Sequence, residues 1–170
     1  MLWLMIIVTL VAGGRIKNGL GSCLSFARGL GGQTSGQLMV MATCDSKDGN
    51  QNGWIMNNTT SSRGSPTYQF CVNGTNLCIG IQGMGRLVQI VANDPRDEAQ
   101  QWFALDTSVL DNHYINGFSG QCFNALSYNM ANLGIVAGTR RCANTAAQRW
   151  YFTDISSAQQ SNNLTKYRKS

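Results

Sequence analysis

Histidine and charged residues are scarce in this sequence, and their scarcity excludes several kinds of site. The single histidine, His113, and the lack of a Cys-x-x-Cys motif argue against a structural zinc site. The eight carboxylates are scattered, whereas glycoside hydrolysis needs a facing carboxylate pair. No glycine-rich loop followed by Lys and Ser or Thr is present to cradle a phosphate. We therefore expect no enzyme activity, no metal and no cofactor, and we place His113 at an outer strand position.

Runs of like charge are also missing. Charged residues make up 12% of the chain, and no five or six of one sign follow one another. Lys and Arg outnumber Asp and Glu by 13 to 8, and this excess favours anionic partners such as acidic glycans. A mildly basic protein without such a partner is the alternative. The aromatic residues follow the core register instead of alternating with basic ones, so nucleic-acid binding is not expected.

An apolar run from Leu2 to Ala12 opens the sequence and is too short to cross a bilayer comfortably. Small residues at Ala12 and Gly14 suit a signal peptidase, so residues 1–14 are predicted to be a signal peptide. No Lys or Arg precedes the run, and a retained, buried N-terminal segment is the alternative. Cleavage would give a secreted, extracellular protein with no membrane span in the mature chain.

Three copies of one unit make up most of the remaining sequence. In each copy a short apolar segment and a turn containing glycine lead to a cysteine, and a Gln shortly before a Trp closes the copy. The openings run from Ile16 to Cys23, from Cys71 to Cys78 and from Ile115 to Cys122, with the same gap each time. The closings are Gln51 to Trp54, Gln100 to Trp102 and Gln148 to Trp150. The units cover about residues 15–56, 67–106 and 112–154 of a single domain, residues 15–154.

The six cysteines indicate disulfides and therefore an oxidising compartment. Four of them occupy matching places in the first and third units, which predicts the pairs Cys23–Cys44 and Cys122–Cys142. In the second unit Asp94 stands at the place of the missing cysteine, and Cys71 and Cys78 are available to pair across a turn. This connectivity is one of 15 that six cysteines allow.

Polar segments separate and follow the units. Residues 57–66 are predicted to be an exposed connection, and residues 155–170 a polar, basic, solvated tail. Candidate sites of N-glycosylation are Asn57, Asn58, Asn73 and Asn163. These sequons predict a glycoprotein.

The three units resemble the ricin B-chain type of lectin domain, which is recognised by Cys-apolar starts and Gln-x-Trp ends. The resemblance implies an all-β fold, a β-trefoil of three repeated four-strand units with pseudo-three-fold symmetry. It also implies that Trp54, Trp102 and Trp150 anchor the core and that the motif glutamines hold loop backbone. The first unit departs from the pattern by one residue, because two residues and not one stand between Gln51 and Trp54.

The family builds each sugar pocket from three residues: an Asp two after the first Cys, an aromatic ring two before the second Cys, and an Asn before the Gln. The Asp positions hold Ser25, Gly80 and Asn124, the ring positions Ala42, Ala92 and Arg140, and the Asn positions Asn50, Ala99 and Ala147. The resemblance therefore implies degenerate pockets, with the second one lost. In the third, Asn124 and the guanidinium groups of Arg140 and Arg141 suit an acidic sugar. The candidate sugar-binding residues are Asn124, Arg140, Gln148, Ser25, Asn50 and Gln51.

Two functions remain open at this stage. The resemblance favours a secreted, lectin-like module that binds glycans or glycoproteins. The missing pocket residues favour a structural or assembly protein that uses the trefoil as a scaffold for self-association or for a protein partner.

Overall fold

The computed structural model describes residues 13–27, 34–82, 86–106, 111–130 and 134–153. The predicted signal-peptide run, the tail and Asn163 lie outside them. The described residues form thirteen β-strands, two short 3₁₀ turns and no α-helix. The strands are β1 Arg15–Asn18, β2 Cys23–Phe26, β3 Met39–Ala42, β4 Trp54–Thr60, β5 Pro66–Val72, β6 Leu77–Ile81, β7 Val88–Ala92, β8 Trp102–Ala104, β9 Asp111–Asn112, β10 Tyr114–Asn116, β11 Cys122–Met130, β12 Gly134–Arg140 and β13 Trp150–Thr153. The 3₁₀ turns are Glu98–Gln100 and Ala146–Gln148.

The last strand of each repeat joins the first strand of the next, and a tryptophan begins each of these last strands. β4 pairs with β5, β8 with β10, and β13 with β1, all antiparallel. Each tryptophan also pairs on its other side: Trp102 with Tyr68 and Trp150 with Asn112, both near the start of their own repeats, and Trp54 with Gly14, the last residue of the predicted signal peptide. The same pairing scheme is thus repeated three times around the barrel.

The remaining strands form three hairpins that meet one another. β2 pairs with β3, β6 with β7 and β11 with β12. Three bridges join the hairpins in a triangle: Leu38 to Gln89, Leu87 to Gly138 and Val136 to Val40. At Gly138 a Cβ atom would lie only 2.5 Å from the carbonyl oxygen of Arg86, so this close approach requires glycine. Each hairpin therefore depends on the other two repeats.

The three tryptophans are fully buried, as predicted. Trp150 stacks on Phe123 with ring centroids 3.9 Å apart, and its indole nitrogen donates to the carbonyl of Phe123. Trp54 stacks on Phe26, and Trp102 packs against Phe123. These rings supply much of the apolar surface that three small repeats bury together.

The motif glutamines hold loop backbone, as the resemblance implied. The side chains of Gln51, Gln100 and Gln148 each accept one backbone N–H and donate to one backbone carbonyl. In each loop the residue with this carbonyl stands two positions before the residue with this N–H. The acceptor–donor loop pairs are Thr43 and Asp45, Ala92 and Asp94, and Arg141 and Ala143. In the first and third repeats these two residues flank the second cysteine. The same bonds in the second repeat flank Asn93, so Asn93 and not Asp94 stands at the place of the missing cysteine.

The predicted equal gap in the three opening hairpins is wrong for the first repeat. Cys23, Cys78 and Cys122 lie opposite Lys17, Cys71 and Ile115 respectively. Lys17 and not Ile16 is therefore the counterpart of Cys71, because the first hairpin is one residue shorter. Val72 consequently stands where the other repeats have Asn18 and Asn116, whose side chains donate to the carbonyls of Ala147 and Ala99 in the preceding repeat.

Residues 57–66, predicted to be an exposed connection, contain more β-structure than expected. Seven consecutive residue pairs join β4 to β5, from Trp54 opposite Val72 to Thr60 opposite Pro66. Only Ser61–Ser65 form the turn, and Gly64 within it has a φ of 80°. The exposed connection between the first and second repeats is thus a β-hairpin, in which the hydroxyl oxygens of Thr59 and Thr67 lie 2.7 Å apart across the two strands.

All three predicted disulfides are present in the structure. Cys23 pairs with Cys44, Cys71 with Cys78, and Cys122 with Cys142. The first and third close loops that carry the glutamine-bound segments. The second joins directly opposite residues of β5 and β6.

Candidate functional site

The predicted third-repeat site lies on the β11–β12 ladder. Cys122 is opposite Arg140 and Asn124 is opposite Gly138, so all four residues share one face of the ladder. Asn124 is only 4% exposed, and its amide donates to the carbonyl of Ala125 at 2.6 Å. Arg140 is exposed at the end of β12. The structure therefore brings the two residues to one face, with Arg140 as the accessible member of the pair.

In the first repeat most candidate residues face the interior. Ser25 is 4% exposed and lies opposite Val40. Gln51, like Gln148 in the third repeat, is 2% exposed, and both ends of its amide bind backbone. Asn50 is half-buried beside it, with its N–H bonded to the carboxylate of Asp48. These contacts give the two glutamines a role in shaping the loops.

The second repeat has no space for the family's pocket. A Cβ atom on Gly80 would lie 2.9 Å from Cγ of Gln100 and 3.1 Å from Val91. The ring position is also displaced by one residue, because Val91 and not Ala92 lies opposite Cys78. Neither the buried Gly80 nor Val91 offers a polar group or a ring to a sugar.

Three exposed arginines belong to neighbouring backbone segments at the end of β12, and we call them the arginine face: Arg86, Arg140 and Arg141. The carbonyl of Arg86 accepts the N–H of Thr139 at 2.6 Å, which places Arg86 next to the end of β12. No salt bridge to these three guanidinium groups is found within the described ranges. The surface is therefore positive, and its guanidinium groups have no carboxylate to neutralise them there.

A cavity of about 410 Å³ lies beside the third disulfide, and sequence reasoning missed it. It is lined by Leu105, Asp106, His113, Cys122, Cys142, Ala143, Asn144 and Arg149. None of the six candidate sugar-binding residues is among them. We call it the His113 cavity. His113 itself is buried and not at an outer strand position, and the loop after Cys142, far along the chain, lines the same cavity.

The cavity owes its shape to the residue before Tyr114. Pairing of the openings places His113 at the same repeat position as Gln69, since Tyr114 matches Phe70. Gln69 is buried and donates to the carbonyl of Asp94 in the loop of the second repeat. In the third repeat His113 instead turns its Nδ1 toward Asp106 Oδ2 at 3.7 Å. The sequence signal for this cavity was that Gln69 and His113, two different polar residues, occupy the same repeat position.

Solved structures resemble this chain in fold. The designed three-fold symmetric protein ThreeFoil has a TM-score of 0.64 and 14% identity, covering 84% of this chain and 98% of its own. The Haemophilus ducreyi cytolethal distending toxin has a TM-score of 0.62 and 13% identity, covering 91% and 90%. The exo-β-1,3-galactanase 1,3Gal43A from Clostridium thermocellum has a TM-score of 0.64 and 14% identity, covering 85% of this chain and 30% of the enzyme.

Three-fold repetition of barrel joints, hairpin bridges and tryptophans, together with the match to ThreeFoil, defines the class: the chain is a β-trefoil. Comparisons with protein-family models and with curated proteins give no match. The described residues hold no cluster of His, Cys, Asp and Glu that could bind a metal ion. Nor do they include a helix long and apolar enough to cross a membrane.

Proposed function

We propose that this protein is a secreted, non-enzymatic carbohydrate-binding module of the ricin B type, and that it binds acidic glycans through its arginine face. The observation that carries this proposal is the set of three exposed guanidinium groups without carboxylate partners in the described residues. A planar guanidinium donates two parallel hydrogen bonds to a carboxylate or sulfate, and such charge-assisted bonds are stronger than neutral ones. Arg140 occupies the position from which the family's ring would contact sugar.

Other observations support the same function. One similar structure is an exo-β-1,3-galactanase, and this chain matches 30% of its length. The three disulfides fit an oxidising compartment, and a net charge of +5 favours anionic ligands. Glutamine-bound loops in all three repeats support the ricin B type.

Binding of a sulfated oligosaccharide and of a uronic-acid oligosaccharide, measured by calorimetry, tests this proposal. We expect the dissociation constant to rise roughly tenfold in Arg140→Ala and in Arg86→Ala, which corresponds to about 1.4 kcal/mol for a lost charge-assisted bond. Arg63→Ala is the matched control, because Arg63 is equally exposed but lies in the β4–β5 turn. Equal losses in all three variants would indicate attraction by net charge alone and would contradict the proposal.

Self-assembly is the second candidate, and two exposed apolar residues favour it. Leu20 is 61% and Phe118 59% exposed, although large apolar side chains usually avoid water. They occupy equivalent turns, because the N–H of each bonds to the asparagine two residues earlier, Asn18 or Asn116. Light scattering of the Leu20→Ser, Phe118→Ser double variant tests this alternative. Oligomers in the unchanged protein that dissociate in the variant would support assembly, and monomers in both would contradict it.

A further inference from the structure

We propose that the His113 cavity is a second saccharide site, separate from the arginine face, that binds a neutral pyranose sugar. The inference rests on the proposed function for the choice of a sugar as ligand. Its volume of about 410 Å³ lies in the range of small-molecule sites, about 300–1,000 Å³. None of the positions from which the resemblance implied sugar contact lines it.

The lining has the mixed chemistry that a sugar requires. Asp106 offers a carboxylate that can accept two neighbouring hydroxyl groups, and Asn144 offers an amide donor and acceptor. Leu105 is exposed beside them, and its side chain can cover the C–H face of a pyranose ring. Asp106 and Arg149 are of opposite charge, so the cavity lacks the single-sign field of the arginine face. This balance favours a neutral ligand.

His113, which also lines the cavity, has a buried ring nitrogen without a partner among the described residues. Its side chain is 10% exposed, and its Nε2 has no hydrogen-bond partner among the described residues. A buried polar atom without a partner costs about 1–3 kcal/mol, so native structures seldom leave one without a reason. Nε2 itself is buried, so a ligand in the cavity contacts His113 only at the 10% of its side chain that is exposed.

The wall that carries Asp106 is held in place before any ligand binds. Asn112 Oδ1 accepts the N–H of Asp106 at 2.9 Å, and Asn112 Nδ2 donates to the carbonyl of Asp106 at 2.8 Å. The N–H of Leu105 donates to the carbonyl of His113 at 2.9 Å. A ligand therefore does not have to pay for ordering this loop.

The opposite wall is fixed as firmly. The Cys122–Cys142 disulfide ties it to β11, and the N–H of Ala143 donates to Gln148 at 2.7 Å. The carbonyl of Ala143 accepts the N–H of Thr145 at 2.8 Å, which closes a turn around Asn144. Arg149 is anchored too, since its carbonyl accepts the N–H of Gly19. Two rigid walls facing one another are typical of a preformed binding site.

The second repeat shows what a closed version of this site looks like. There Gln69 spans the space to the loop and donates to the carbonyl of Asp94 at 3.1 Å, whereas His113 makes no such bond to the equivalent Ala143. His113→Gln therefore transfers the second repeat's arrangement into the third. We expect this variant to fill the cavity.

The test is an NMR chemical-shift titration of the full chain with galactose, N-acetylgalactosamine and glucose. We expect at least one of them to shift the resonances of Asn144 and Leu105. Affinity should fall roughly tenfold in Asp106→Asn and in Asn144→Ala, and binding should be lost in His113→Gln. Asp106 and Asn144 are exposed, so these two variants keep the test valid if His113→Gln does not fold. Asp45→Asn and Ser46→Ala, in the corresponding loop of the first repeat, are the matched controls.

Three results would overturn the inference. If none of the three sugars binds while acidic oligosaccharides still bind the arginine face, the cavity is not a neutral-sugar site and the proposed function stands. If a sugar binds with unchanged affinity in Asp106→Asn and Asn144→Ala, the site is elsewhere. If neither neutral nor acidic saccharides bind, the proposed function fails and this inference fails with it.

Discussion

The side-chain oxygen of Gln148 accepts the backbone N–H of Ala143 at 2.7 Å, and its amide donates to the carbonyl of Arg141 at 3.0 Å. One buried side chain thus fixes the loop that bears both the end of the arginine face and one wall of the His113 cavity. Gln148→Ala leaves two backbone groups without partners, and we expect a loss of about 1–3 kcal/mol for each that stays buried. Urea unfolding measures it. Gln148→Glu keeps the acceptor but sets a buried carboxylate against the carbonyl oxygen of Arg141, so it should cost at least as much, and a much smaller loss would contradict this account.

The three disulfides should contribute unequally to the free energy of unfolding. Cys122–Cys142 closes a loop with a sequence separation of 20, whereas Cys71–Cys78 spans only 7. Since the constraint on the unfolded chain grows with loop length, replacing both members of Cys122–Cys142 by Ala should cost about 3 kcal/mol, and the same change in Cys71–Cys78 about 2 kcal/mol. Denaturant unfolding of the two double variants gives the values. The reverse order would show that strain or packing outweighs loop closure.

Gly80→Ala should destabilise the protein although it adds a single methyl group. Its Cβ would lie 2.9 Å from Cγ of Gln100 and 3.3 Å from the carbonyl oxygen of Ala99, inside the second repeat's core. Overpacking of this kind costs about 1–3 kcal/mol. Gly49→Ala is the control, because no atom lies within 4 Å of the added Cβ there. Thermal unfolding should distinguish the two, and an unchanged melting temperature in Gly80→Ala would refute the steric argument.

Glycan occupancy should differ between the sequons. Asn73 is exposed in the β5–β6 turn. Asn57 is half-buried in β4 opposite Gln69, which is buried, and residues opposite one another share a face of the sheet. After expression through a secretory pathway, we expect mass spectrometry to find a glycan on Asn73 and none on Asn57. A modified Asn57 would show that the sugar is added before this strand pairs.

The parts of the fold that the sequence predicts are those in which one residue type performs one physical role. The resemblance to the ricin B-chain type implies that Trp54, Trp102 and Trp150 anchor the core, and the structure buries all three. The cysteine pairs follow for a similar reason. Register was harder to predict. Counting along the chain aligned Ile16 with Cys71, but the first hairpin is one residue shorter and places Lys17 there.

The His113 cavity could not be predicted in this way. Its lining comes from the end of β8, the start of β10 and the loop after Cys142, and no motif joins these segments in the sequence. His113 is buried, and it lines the cavity together with that distant loop. What the sequence did contain was a difference at one repeat position, Gln69 against His113. Its meaning depends on the loop opposite, which only the folded chain brings near.

β1 lies beside β13, and Arg15 is paired with Thr153. Opposite residues in antiparallel strands have Cα atoms about 4.5–5.5 Å apart, so the two ends of the described domain are adjacent in space. A short linker could therefore join them without distorting the barrel. The chain could then be opened at the β4–β5 turn near Gly64, which makes this domain suited to circular permutation and to insertion into another protein at a single point.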